Sequence, residues 1–130
     1  MVSYNAKGDF LPYRFWKMNV ISPPASVELF ATGSGGIAIP FRQVHEHFFT
    51  TDAWQTQAPS CDDVWLYYAL KCSGVPVVQS DFELSLIEWT PKGSEKLWKV
   101  NRIENETGLT PNDHALQVCR EHVLSMDFDL

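Results

Sequence analysis

The stretch from residue 60 to residue 74 constrains this chain more than any other. Ser60 followed three residues later by Asp63 has the pattern of a capping box, with the Ser60 hydroxyl accepting a backbone N–H and Asp63 reaching back. Behind it, Val64, Trp65, Tyr68 and Cys72 fall on one face at helical spacing, and Gly74 ends the run. A helix is therefore expected across these residues. A second helix is signalled by Thr110 as cap, Pro111 at the first helical position and Asp113 in the first turn. Its apolar face would carry Ala115, Leu116, Cys119 and Val123.

Strand signals lie between and around these helices. Val27, Leu29 and Ala31 alternate with Glu28 and Phe30, a glycine loop follows at Gly33, Gly35 and Gly36, and Ile37-Ala38-Ile39-Pro40 resumes the apolar pattern. Val75-Pro76-Val77-Val78 reads as a further strand, placed at an edge by its proline, and Phe82, Leu84 and Leu86 suggest another. Residues 41–54 hold a short helix that Thr51 or Asp52 could cap, while 92–107 read as polar loop and the tail from Met126 as frayed. The expected fold class is α/β or α+β, a small mixed sheet with helices. It forms one domain over 1–130: an irregular aromatic lead-in (1–26), a core with the glycine loop and aspartate pair (27–80), and a variable loop with the last helix (81–130).

Composition excludes several roles. A chain of 130 residues that is 45% hydrophobic can bury roughly two thirds of its unfolded surface, so a folded domain is expected rather than disorder. The net charge of -6 and the lack of any Lys/Arg run argue against nucleic acid as partner. Apolar runs are too short for a membrane span, the N-terminus lacks a signal-peptide pattern, and three cysteines without CxxC spacing suit a reducing compartment. A cytoplasmic location is the expectation.

The order Thr32-Gly33-Ser34-Gly35-Gly36 running to Pro40, then His45-Glu46, then Ala58-Pro59-Ser60-Cys61-Asp62-Asp63-Val64-Trp65 resembles the acceptor-side, C-terminal half of bacterial GT-A-type glycosyltransferases of capsular polysaccharide and lipopolysaccharide synthesis. Gly8-Asp9-Phe10-Leu11-Pro12-Tyr13 and Gly108-Leu109-Thr110-Pro111-Asn112-Asp113 extend the likeness over most of the chain. The resemblance implies Asp63 as general base of an inverting sugar transfer and Asp62 as a ligand of sugar hydroxyls. It also implies Gly33, Gly35, Gly36, His45 and Trp65 as substrate-binding residues, with His114 reaching toward a metal. The aspartate-any-aspartate motif that holds metal and diphosphate in such enzymes has no counterpart before Gly33. Asp127-Phe128-Asp129 matches its letters by coincidence. A divalent metal, Mn or Mg, is accordingly expected only with a donor-binding half; without one the domain would be inactive or very weak.

Each residue also has a plainer account. Paired carboxylates suit the first turn of any helix, because its dipole and free N–H groups favour negative charge. Glycines suit any hairpin loop, and Trp65 and Tyr68 are spaced as core residues. His45 and His47 form an isolated His-x-His, which points to surface or interface more than to a metal. The competing expectation is a non-catalytic domain in which a half-sheet with an open strand edge drives homodimer formation or covering by a partner chain. In the catalytic reading the partner is a carbohydrate acceptor.

Overall fold

The computed structural model describes residues 1–17, 20–21, 23–33, 36–80, 100–101 and 103–128. Among them are four α-helices, α1 (His47–Thr50), α2 (Ala53–Gln57), α3 (Asp62–Cys72) and α4 (Pro111–Leu124). Short 3₁₀ turns stand at Tyr13–Phe15 and Phe41–Gln43. No helix among the described residues is long and apolar enough to cross a membrane.

α3 and α4 pack against each other and make the centre of the core. Val64 and Tyr68 on α3 meet Leu116, Cys119 and Val123 on α4, all of them fully buried or nearly so. Full burial of an aliphatic side chain stabilises by about 1.5–3 kcal/mol, so this seam supplies the largest apolar contribution visible in the fold. The Tyr68 hydroxyl is satisfied inside it by donating to the Leu116 carbonyl at 2.9 Å. α4 starts where its cap residues place it. Thr110 and Asp113 form a complete capping box, and Asp113 Oδ1 additionally accepts the Tyr13 backbone N–H at 2.6 Å. One carboxylate thus starts α4 and fastens the lead-in to it.

The lead-in packs through rings. Phe10 lies against Tyr4, Trp16, Tyr67 and Tyr68, and Phe30 against Tyr13, Trp16 and Tyr67. Its polar anchor is Glu28, whose carboxylate accepts from Lys71 Nζ at 2.6 Å, from the Tyr67 hydroxyl at 3.1 Å and from the Tyr4 hydroxyl. The long side chains of α3 therefore hold a segment that has little regular structure of its own.

The expected mixed sheet is not formed, which corrects the α/β class. Among the described residues the only β contacts are two isolated antiparallel bridges, Tyr4 with Phe10 and Ser26 with Val77. Local bonds divert each expected strand. At 27–31, the Ser26 hydroxyl accepts the Glu28 N–H and the Ser26 carbonyl accepts the Leu29 N–H, closing a turn in place of a ladder. At 37–40, Pro40 has φ -78° and ψ 76°, an inverse γ-turn closed by Phe41 N–H on the Ile39 carbonyl. At 75–78 the ladder contains only the Val77 pair, and the candidate strand at 82–87 lies outside the described residues. With no sheet there is also no open strand edge among the described residues to recruit a second copy.

Two smaller expectations change as well. Ser60 does not cap α3; Cys61 occupies that position without a side-chain bond, and Asp63 is engaged elsewhere. The tail is not frayed at Phe128, which packs on Phe48 and His45.

Thr110→Ala is expected to cost about 1 kcal/mol, the usual worth of an N-cap. Asp113→Ala should cost about 2–3 kcal/mol, because it also strips a charge-assisted bond from Tyr13. Urea denaturation of both variants checks the ranking; equal losses would mean the Tyr13 bond contributes nothing.

Candidate functional site

The resemblance draws attention to two short segments 30 residues apart, and the fold brings them together. Gly33 N–H donates to Asp63 Oδ1 at 2.8 Å, joining the glycine loop to the first turn of α3. A Cβ at residue 33 would lie 3.2 Å from that same oxygen, a tight contact that would ask the Asp63 carboxylate to give by a few tenths of an ångström. The loop turns back on itself through Gly36 N–H to the Gly33 carbonyl at 3.0 Å, with Gly36 at φ +84°. Side chains rarely adopt that backbone conformation. Gly35 lies outside the described residues.

Asp63 is half-buried. Burial raises its carboxyl above the usual range; the Gly33 bond opposes the shift, and the neighbouring Asp62 charge adds to it. The acid is thereby poised closer to neutrality than a surface aspartate, the condition a general base requires. Asp62 is exposed and faces a different feature, a cleft of about 280 Å³. Phe48, Phe49, Trp54, Trp65, Leu66 and Ala69 form its walls. The two carboxylates thus divide their surroundings: Asp63 looks to the glycine loop and Asp62 to an aromatic cleft.

Trp65 is a wall and not a free platform. Its indole N–H is committed to the Phe48 carbonyl at 3.1 Å, and its ring packs on Phe48 and His122. The rings open to solvent are Phe49 and Trp54, 44% and 43% exposed. In the sequence Phe49 draws no notice and Trp54 has no context that separates carbohydrate platform from packing; their grouping appears only when α1 and α2 fold onto α3.

His45 is engaged away from the aspartate pair. Its backbone N–H donates to Ser73 Oγ at 2.9 Å, its Nδ1 accepts the His47 N–H at 3.2 Å, and its ring meets Phe128. His114 stands exposed in the first turn of α4. The described residues contain no group of three His, Cys, Asp or Glu side chains able to hold a metal. Cysteine chemistry is also disfavoured. Burial pushes Cys72 up to about 11 and Cys119 up to about 12, and raises Cys61 as well, so none of the three thiols ionises readily.

Comparison of the chain with known protein families, curated proteins and solved structures finds no match.

The raised Asp63 carboxyl has a defined effect on stability. Its folded value lies above the unfolded value near 3.8, so its contribution favours folding only at low pH and is lost as pH rises through the folded value. Asp63→Asn, which retains an oxygen for Gly33, should leave stability at pH 7 unchanged or slightly raised. Asp63→Ala should lose about 1 kcal/mol with the hydrogen bond. Thermal melts of both variants provide the comparison, and a large loss in the Asn variant would show that the charge itself is structural.

Proposed function

We propose that this chain supplies the acceptor side of a sugar-transfer site, with Asp63 as the base. The hydrogen bond between Gly33 and Asp63 is the observation that carries the reading. It ties the glycine loop to the aspartate pair, the two segments on which the resemblance to GT-A-type glycosyltransferases rests. The bond occupies one carboxylate oxygen, and Asp63 Oδ2 is the atom to receive a proton.

In the reaction this assigns, the acceptor hydroxyl oxygen forms a bond to the anomeric carbon of a nucleotide sugar as the bond to the diphosphate breaks. The diphosphate leaves with the electron pair, and the hydroxyl proton passes to Asp63. Asp62, next to Asp63 at the start of α3 and lining the cleft, would accept hydrogen bonds from acceptor hydroxyls near the base, while Phe49 and Trp54 would cover the apolar face of a further pyranose of the acceptor. The described residues assemble no metal site, so no step here runs through one. Diphosphate binding, with any Mn or Mg, would fall to a donor-binding half acting in the cytoplasm, where nucleotide sugars are made.

Two measurements test this. Saturation-transfer NMR with a panel of pyranosides should show contacts to Trp54 and Phe49, and Trp54→Ala should weaken binding about tenfold, equivalent to about 1.4 kcal/mol. When the chain is combined with a donor-binding partner, Asp63→Asn should lower kcat roughly 10²–10⁴-fold with the fold intact. Transfer at an undiminished rate by that variant would rule out Asp63 as base.

A second reading, association without catalysis, draws on the same surface: Phe41, 64% exposed, packs at a tilt on Phe49, which lines the cleft with Trp54. Sedimentation separates the two. A dimer broken by Phe41→Ser, with no pyranoside contact, would favour association.

A further inference from the structure

His47 opens α1 and His122 lies in the last turn of α4, 75 residues away. Their Nε2 atoms are 3.3 Å apart, their ring centres 5.6 Å, and their planes differ by 25°. The excess of the centre distance over the nitrogen distance is about one ring radius on each side, so the rings meet end to end with the nitrogens facing. That arrangement is a single hydrogen bond in which one imidazole supplies N–H and the other a lone pair. It survives with both rings neutral or with one proton added. With both rings protonated, two N–H groups and two positive charges would face each other at this distance, and the bond is lost.

The surroundings intensify this constraint. α1 places Phe48 against His47, α3 places Trp65 against His122, and the C-terminal turn places Phe128 against His47. The titratable groups acting on His47 are His122 and His45, both of which become cations in acid. His45 adds a second acid-sensitive link, because its Nδ1 accepts the His47 backbone N–H only while unprotonated. Burial first, then His122 and His45, hold the His47 imidazole below its ordinary value.

We propose that the His47–His122 contact is an acid-released clasp that fastens the end of α4 to α1 and so holds the Trp65 wall of the aromatic cleft in place. Protonation frees the last turn of α4 and Phe128 first, and the cleft wall loosens behind them. The clasp is a property of the fold and does not depend on what the cleft binds.

A folded-state value below the unfolded one means that the His47 contribution is fully present above about 6.5, its ordinary value, and is lost as pH falls from there through the lowered value. Hydrogen exchange locates the effect. The amides of Ser125, Met126 and Phe128 bond to carbonyls of Glu121 and Val123 at the end of α4. Between about pH 7 and pH 5 their protection, corrected for intrinsic exchange, should fall, while the amides of Val64 to Leu70 stay protected. His47→Gln with His122→Gln should abolish this acid sensitivity. Histidine ring NMR on the wild-type chain gives an independent reading, with His47 titrating below the ordinary histidine value. A His47 ring that titrates at its ordinary value, or unchanged protection at the end of α4 across this range, would overturn the clasp.

Discussion

The seam between α3 and α4 is the contact on which the rest of the molecule depends. Val64 and Tyr68 cannot be buried without Leu116, Cys119 and Val123, and the Tyr68 hydroxyl can be buried at low cost only because the Leu116 carbonyl receives it. Everything else attaches to this pair. The aromatic lead-in leans on Tyr67 and Tyr68, Glu28 is held by Lys71, and Asp113 binds the lead-in backbone from the other helix. An irregular segment can be ordered in this way because its side chains, and not its backbone, carry the attachment.

The two long helices were legible because both carry an apolar face at helical spacing and one of them, α4, a complete cap. Thr110, Pro111 and Asp113 set the start of α4 within four residues, and Gly74 at φ +63° follows the end of α3. The strands expected at 27–31, 37–40 and 75–78 were misread for a physical reason. Alternation of apolar and polar residues shows which faces want burial but not whether a partner strand is present, and at Ser26 and Pro40 side-chain and proline geometry turned the chain instead. The Ser60 reading failed similarly. Asp63 could reach back to a cap or out to Gly33, and sequence spacing does not decide between a bond of three residues and one of 30.

The candidate site shows the same division. Glycine loop and aspartate pair could be picked out in the sequence, and the fold joins them at Gly33. The cleft beside them could not, because Phe48, Phe49 and Trp54 come from two helices of four and five residues that carry no periodic pattern. His122 escaped notice as one residue on the partly exposed side of α4 until its ring was found against His47. Cleft, clasp and helix seam meet at Trp65, which packs on Phe48 and His122 from α3. Acid sensitivity and site geometry are therefore coupled through one side chain.

Asp63, the proposed base, is partly desolvated and held by the glycine loop. Carboxyl-carbon NMR titration of the chain labelled at aspartate, followed together with the Gly33 amide, measures this directly. The account predicts an Asp63 midpoint above the ordinary 3.8, with the Gly33 amide shifting at the same pH. A midpoint at or below that value, with a Gly33 amide that does not respond, would contradict it.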